Sequence, residues 1–414
     1  MQHATQVALT RRVIDFVERG TTELADSPFL NPVSTYTCPK QAVREQELFF
    51  RGQPLFFGLS CELPKPGDFR ADDLSGVPIL VVRGHDGGLR AFLNVCRHRG
   101  AKVASGAGSG KRLFVCPYHA WTYDLDGRLR KLHPDFGFPG LTCAERSLVP
   151  LPVAEKHGLI FVKATPGGDV DVDALLGGLA PEFASYGFAR YSHFTTRTLA
   201  KDMNWKLVID TFLETWHVAT LHKATIASIF QPNVNAFDAF GRNGRLIIPR
   251  RSLMESKGRP ESSWNLLADS AIVYTLFPNA LLVWQGDHLE TWRSFPVGGA
   301  TDRCIAEAAL FAPKPAGTDR EKRHWERNMD LLMRTVDVED FPVCLDIQRG
   351  FAAGAQTHIT FGRNEPALGH FHRNIQQAIG FGSAPASHPS SRKPRRSRGY
   401  PGPAARSTHE DDPR

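Results

Sequence analysis

Cys96-Arg97-His98 and, after seventeen intervening residues, Cys116-Pro117-Tyr118-His119-Ala120-Trp121 decide the reading of this chain. Four metal-binding side chains stand in two tight pairs, Cys96/His98 and Cys116/His119. A structural zinc site is the plain alternative. Zinc fingers, however, pair Cys with Cys and His with His, whereas each pair here mixes the two. A [2Fe–2S] centre with two thiolates on one iron and two imidazoles on the other draws one Cys and one His from each of two loops. Neutral imidazoles bring less negative charge than thiolates, so such a cluster has a raised reduction potential. Gly100 and Pro117 permit tight loops whose N–H groups can donate to the sulfurs.

The surroundings of these pairs read as short strands. Residues 77–84 and 89–96 flank the turn His85-Asp86-Gly87-Gly88. Residues 112–116, 122–130 (with Asp126-Gly127 as a turn) and 158–164 continue the pattern. Many short strands with Gly-rich turns predict a small all-β unit. The loop Gly106–Lys111 imitates a phosphate loop, but it lacks the full spacing and leads into a strand-like run.

A second constellation lies downstream. Residues 203–222 carry an apolar helical pattern, and His217 and His222 stand five apart within it. On an ideal α-helix that is about 140° of rotation, so the two rings share a metal only if the helix ends or distorts between them. Oxygen-activating non-haem iron takes two His and one carboxylate. Glu339-Asp340, in EDFPVCLDIQRGF, offers that carboxylate.

CRHRG (96–100) and CPYHAWTYDLDGRL (116–129) resemble the Rieske domain of ring-hydroxylating oxygenase alpha subunits, including Trp121, Tyr123 and Asp126-Gly127. NWK…DTFLETWHVATLH (204–222) is similar to the mononuclear-iron motif of that family, and EDFPVCLDIQRG (339–350) to its carboxylate helix. The resemblance implies that Cys96, His98, Cys116 and His119 hold the cluster. It implies that His217, His222 and Asp340 hold Fe(II), with Glu339 as the alternative to Asp340. It further implies that Glu214 bridges His217 to the cluster ligand His119 of an adjacent subunit in a head-to-tail ring. A homotrimer, with or without a beta subunit, follows from it. So does an α+β fold: an all-β Rieske domain inserted in a helix-grip (START-like) catalytic domain with an antiparallel sheet.

The implied activity is that of a terminal oxygenase. It would use O2 to hydroxylate, dihydroxylate or demethylate a small organic substrate, aromatic in the first instance. Glu at 214, where many members have Asp, favours the alternative of a quaternary ammonium substrate. Trp216 in place of the usual Tyr and Thr211 in place of Asn also depart from the pattern. A reading from a different class is a Rieske electron carrier with a ligand-binding domain. The chain has no flavin or nicotinamide fingerprint, so electrons from NAD(P)H are expected through a separate reductase, with or without a ferredoxin.

Composition is that of a globular protein: 414 residues, 42% hydrophobic and 22% charged. Of the net charge of +7, residues 383–414 contribute +4, which leaves no basic surface that implies nucleic acid. Residues 7–20 interleave charges with apolar residues, unlike a signal peptide, and no apolar run reaches transmembrane length. Seven cysteines, an odd number without scaffold spacing, make a reducing cytoplasm the expected compartment.

The expected division is an N-terminal helical segment (1–45) packing on the catalytic domain, a Rieske domain (46–165), a catalytic iron domain (166–381) and a disordered basic tail (382–414). Strands are expected at 245–249, 271–276, 280–284 and 303–311, and one or two helices over 318–352, divided near Val336–Pro342. Phe212, Trp216, Phe240 and Trp284 are candidates for the pocket wall or the core. His370 and His372 read as packing or surface residues, and Cys38, Cys61, Cys143, Cys304 and Cys344 as isolated buried thiols.

Overall fold

The computed structural model describes residues 1–380. The tail expected at 382–414 lies outside the described residues.

Three small antiparallel sheets occupy residues 54–163. The largest has the order Pro150–Leu151, Leu89–Leu93, Ile79–Arg83, Phe69–Asp72, Ala107–Gly108. The loop that imitates a phosphate cradle thus contributes an edge strand, with Arg70 opposite Ala107. A second sheet holds Leu113–Val115, Thr122–Asp124 and Leu129–Lys131. Between these two sheets Phe69, Leu80, Phe92, Phe114 and Trp121 form a core that also contains Cys96 and Cys116. The third sheet orders Val153–Lys156, Leu159–Lys163 and Pro54–Leu59.

The remaining chain builds on a seven-stranded antiparallel sheet. Its order is Ser192–Lys201, Cys304–Ala312, Leu289–Pro296, Ala280–Trp284, Ser270–Leu276, Asn243–Pro249, Ala236–Phe240. Its central strands are apolar on both faces because both faces are covered. Leu246, Val273, Leu281 and Val283 face one core, shared with Trp205, Trp325, Leu332 and Phe341 of the helices. Ile247, Ile272, Tyr274 and Leu282, offset by one residue, face a second core with Val13, Leu176 and Phe183. That alternation is the period of two expected of a pleated strand.

The four expected strands are present. Ser192–Lys201, Ala236–Phe240 and Leu289–Pro296 escape the sequence reading. Leu289–Pro296 is buried throughout yet carries Glu290 and Arg293. Arg293 pairs with Asp72 of the first β unit and with Glu307, both at 2.7 Å. Arg70 likewise reaches Glu307 at 2.7 Å. Buried ion pairs therefore tie the two units together, and their charges disguised the strand.

The chain before and after the first β unit returns to the same place. Phe29–Pro32 pairs antiparallel with His358–Phe361. The N-terminal helix, His3–Glu18, packs on the sheet, where Arg12 donates to Asp238 at 2.8 Å. The β unit is thus an insertion in an α+β framework. The sheet grips one helical run, Asp319–Ala352, started by a Thr318/Glu321 capping box. The division expected near Val336–Pro342 is a wider π-helical turn, Arg334–Asp340, inside a continuous run. Pro342 follows in the next first turn, where its missing N–H costs nothing. Among the described residues, no helix is long and apolar enough to cross a membrane.

Candidate metal centres

The two candidate cluster loops are built alike. The N–H of Cys96 donates to Ala101 O and the N–H of Gly100 to Cys96 O, at 2.8 and 3.0 Å. The N–H of Cys116 donates to Trp121 O and the N–H of Ala120 to Cys116 O, again at 2.8 and 3.0 Å. Each five-residue turn needs a left-handed residue at its fourth step after Cys: Gly100 at φ 85° and Ala120 at φ 56°. The loops bring the rings of His98 and His119 to 4.6 Å, edge to face. Trp121 stacks on His98 at 4.9 Å. Both thiols are buried, and the Tyr123 hydroxyl lies 3.4 Å from Cys96 Sγ. Burial pushes the Cys96 thiol pKa up, a cost that a bound metal removes by replacing the proton.

The buried Nδ1 of His98 has no hydrogen-bond partner among the described residues. An orphaned imidazole nitrogen beside two buried thiols fits a soft metal cluster.

The second centre depends on two interruptions of regular structure. The apolar pattern over 203–222 folds as two short helices, Trp205–Asp210 and Val218–Leu221, not one. Thr211 ends the first by turning its hydroxyl back to Val208 O at 2.9 Å. The Glu214 carboxylate then accepts from the N–H groups of Trp216 and His217, which starts the second. His217 and His222 consequently bracket a single turn, and their rings approach to 5.0 Å. The distortion that the spacing requires is therefore present. The third group arrives from the π-helical turn, whose last residue is Asp340. Such turns re-aim a helical side chain by inserting one extra residue.

Asp340 Oδ1 lies 3.0 Å from His222 Nε2 and 3.6 Å from His217 Nε2. Ligand atoms of the three residues all fall within 4.8 Å of one another. The outer ring nitrogens are engaged separately. His217 Nδ1 hydrogen-bonds Glu214. His222 Nδ1 donates to Glu339 at 2.6 Å, and Thr225 holds the same Glu339 oxygen at 2.7 Å. Burial pulls the His222 pKa down, but Asp340 and Glu339 outweigh it and raise it. Two imidazoles and one carboxylate with free Nε2 and oxygen atoms suit non-haem Fe(II). Their outer partners fix the tautomers, as at well-ordered metal sites.

Sequence reasoning left Glu339 only as a fallback ligand; the structure gives it the outer nitrogen of His222. It also missed what lies beyond the triad. A cavity of about 530 Å³ opens from it, walled by Phe212, Ile226, Phe230, Val273, Val283 and Leu331. Arg250, Asp287, His288 and Glu290 also line it, and no motif marks them. Of the four aromatic candidates, only Phe212 lines the cavity. Phe240 and Trp284 belong to the opposite core, and Trp216 is exposed with its indole N–H toward Asn364 O.

His372 is fully buried between Tyr36 (2.9 Å) and Asp210 (2.8 Å), while His370 is partly buried against Phe237. Of the five other thiols, Cys304 and Cys344 are buried, but Cys38, Cys61 and Cys143 are partly exposed, short of the burial expected of them.

Two family profiles match the chain: "Rieske [2Fe-2S] domain" over residues 53–138 and "Ring hydroxylating alpha subunit (catalytic domain)" over residues 188–380. The oxygenase subunit of glycine betaine monooxygenase from Chromohalobacter salexigens is 32% identical over 200 residues, which is 48% of this chain and 44% of that protein. Chloroplastic choline monooxygenase from Arabidopsis thaliana is 28% identical over 378 residues, 88% of this chain and 85% of that one. A solved quaternary ammonium Rieske monooxygenase with L-carnitine bound superposes with a TM-score of 0.73 at 21% identity, covering 86% of this chain and 96% of that one.

Proposed function

The chain belongs to the alpha subunits of the Rieske non-haem iron oxygenases, and from that premise we propose that it is a terminal oxygenase for quaternary ammonium compounds. It would take electrons from a separate reductase, directly or through a ferredoxin, and use O2 to hydroxylate or oxidatively demethylate its substrate. The observation that carries the reading is the meeting of His217, His222 and Asp340 in the wall of the cavity. When bound, the [2Fe–2S] cluster on Cys96, His98, Cys116 and His119 would supply electrons, and iron on the triad would supply O2 reduction.

The chain's own residues do the rest. Glu214 and Glu339 each hold one imidazole Nδ1–H and so aim both Nε2 atoms inward. The apolar wall keeps water from the reacting carbon. Four carboxylates line the cavity, from Glu214, Asp287, Glu290 and Asp340; Asp287 and Glu290 hold His288 and Glu214 holds His217, so what they offer a cationic substrate is the summed field of the wall. In a head-to-tail homotrimer, with or without a beta subunit, Glu214 would also meet His119 of the neighbouring protomer.

The second reading is hydroxylation or dihydroxylation of an uncharged aromatic ring. The wall of Ile226, Phe230, Val273 and Val283 supports it, since such a surface accepts a ring as readily as a methylated cation.

Iron and sulfide quantitation of anaerobically purified protein tests the class. Three irons and two sulfides per chain support the oxygenase; two and two would instead leave an electron carrier with a ligand-binding domain. Product formation from glycine betaine, choline, carnitine and naphthalene, with a reductase supplied, separates the two substrate readings.

A further inference from the structure

The cavity is charged at two separate places. One is the triad. The other is the rim of the turn between Ala280–Trp284 and Leu289–Pro296, where Arg250, Asp287, His288 and Glu290 gather. The helical run measures the separation. Asp287 is held by His324, at 2.8 Å, sixteen residues ahead of Asp340 on that run. At 1.5 Å per residue His324 and Asp340 stand about 24 Å apart along the helix.

Within the second group the charges are unevenly matched. His288 is clamped by Asp287 at 2.7 Å and by Glu290 at 3.3 Å, so those carboxylates already have a cationic partner. Asp287 serves His324 as well. Arg250 has no such arrangement. Its Nη2 donates to the Gln285 carbonyl at 2.9 Å, and its guanidinium lies 5.4 Å from the Phe230 ring centre. Its Nε is buried and, among the described residues, has no hydrogen-bond partner. No carboxylate among the described residues forms an ion pair with it. Burial pulls its pKa down more than Asp287, Asp269 and Glu290 push it up.

A guanidinium carries five donors in a planar fork, and leaving them unmade in a partly buried place is costly. Around it His288, Asp287 and Asn328 are already paired, and Glu290 uses Oε1 on His288 while its Oε2 is buried without a hydrogen bond among the described residues. A planar oxyanion would satisfy the fork with two parallel hydrogen bonds, and a carboxylate has that geometry.

We propose that Arg250 is a subsite for a substrate carboxylate, at the end of the cavity remote from His217, His222 and Asp340. The inference rests on this cavity being the substrate site. It narrows the substrate class to elongated compounds that carry a carboxylate well beyond the group that reacts, a long-chain acid ending in an aryl or trimethylammonio group, over their neutral counterparts.

Calorimetric titration of the iron-loaded enzyme with two probe pairs tests it: 12-trimethylammoniododecanoate against its methyl ester, and 10-phenyldecanoate against its methyl ester. In at least one pair the acid is expected to bind about ten-fold or more tightly than the ester. Arg250→Met is expected to erase that ratio and leave the ester's affinity unchanged, and Arg250→Lys to fall between. The visible spectrum and melting temperature of each variant confirm folding. Equal binding of acid and ester in both pairs, a preference that survives Arg250→Met, or no binding of either acid at millimolar concentration would each overturn the proposal. Binding is read without turnover. Loss of acid preference therefore speaks to Arg250, whereas loss of product with the preference intact speaks to the oxygenase reading.

Discussion

The cluster loops and the triad each bring two imidazoles together, beside thiols in one and a carboxylate in the other, but they are held in opposite ways. Cys96 to Ala101 and Cys116 to Trp121 are closed turns, each satisfied by its own two backbone hydrogen bonds. The triad joins residues more than a hundred positions apart and needs a broken helix on one side and a π-helical turn on the other. A site coded in local turns survives changes elsewhere in the fold. A site coded in tertiary packing is only as good as the carboxylates that aim its rings.

The largest test of that contrast is His222→Ala. It is expected to abolish turnover and lower iron content to two per chain while leaving the visible cluster spectrum intact. Cys116→Ser should do the reverse to the spectrum. Survival of turnover in His222→Ala would mean that the triad is not the reacting centre.

Next in size are the carboxylates that hold the ring nitrogens. Glu339→Gln and Glu214→Gln are each expected to reduce iron affinity or activity by about 10–100-fold. Glu339→Gln should act mainly through iron retention, since Glu339 touches only His222 and Thr225 in the site. Glu214→Gln should slow single-turnover oxidation of a pre-reduced cluster even when iron is replete. Equal effects of the two on iron retention would remove any separate role for Glu214.

This contrast also sets what the sequence disclosed. The cluster was readable because Cys and His at fixed spacing, with Gly100 and Pro117 beside them, specify two turns without help from the rest of the chain. His217 and His222 were not sufficient, since five residues on a regular helix place them on different faces. The break depends on the Thr211 and Glu214 hydrogen bonds, which no periodicity displays. Glu339 and Asp340 are neighbours whose roles differ only in which imidazole nitrogen each meets. The strand Leu289–Pro296 was hidden because Arg293, paired with Asp72 and Glu307, and Glu290, paired with His288, sit at buried positions. The same cause hid the Arg250 end of the cavity.

A smaller effect concerns the far cavity end. Burial alone would lower the His288 pKa, but the hydrogen bonds to Asp287 and Glu290 prevail and raise it to about 9. The folded state therefore binds this proton more tightly than the unfolded chain does. The resulting stability is complete below the ordinary His value and is lost as pH rises through about 9. The melting temperature is expected to fall between pH 7 and pH 9.5 by an amount worth on the order of 1–3 kcal/mol. His288→Gln should flatten that slope. Asp287 and Glu290 hold this ring, His324 shares Asp287 and Arg250 lines the same cavity, so an unchanged slope in His288→Gln would shift the titration to this group.

The smallest effect returns to the two turns. Gly100 has φ 85° and open space where a Cβ would stand; Ala120 occupies the matching step at φ 56° with its Cβ in place. Gly100→Ala should therefore cost only the left-handed backbone term, about 1–2 kcal/mol, with no clash. Ala120→Gly trades relief of that term against the greater freedom of glycine in the unfolded chain, so its net gain is expected to stay under about 1 kcal/mol. Melting curves with cluster absorbance as the probe measure both. If the turns are equivalent, the two substitutions act with opposite sign and leave the spectrum unchanged. A spectral shift in Gly100→Ala alone would show that the first turn is fitted to the cluster more closely than its hydrogen bonds imply, and the symmetry between the loops would then stop at the backbone.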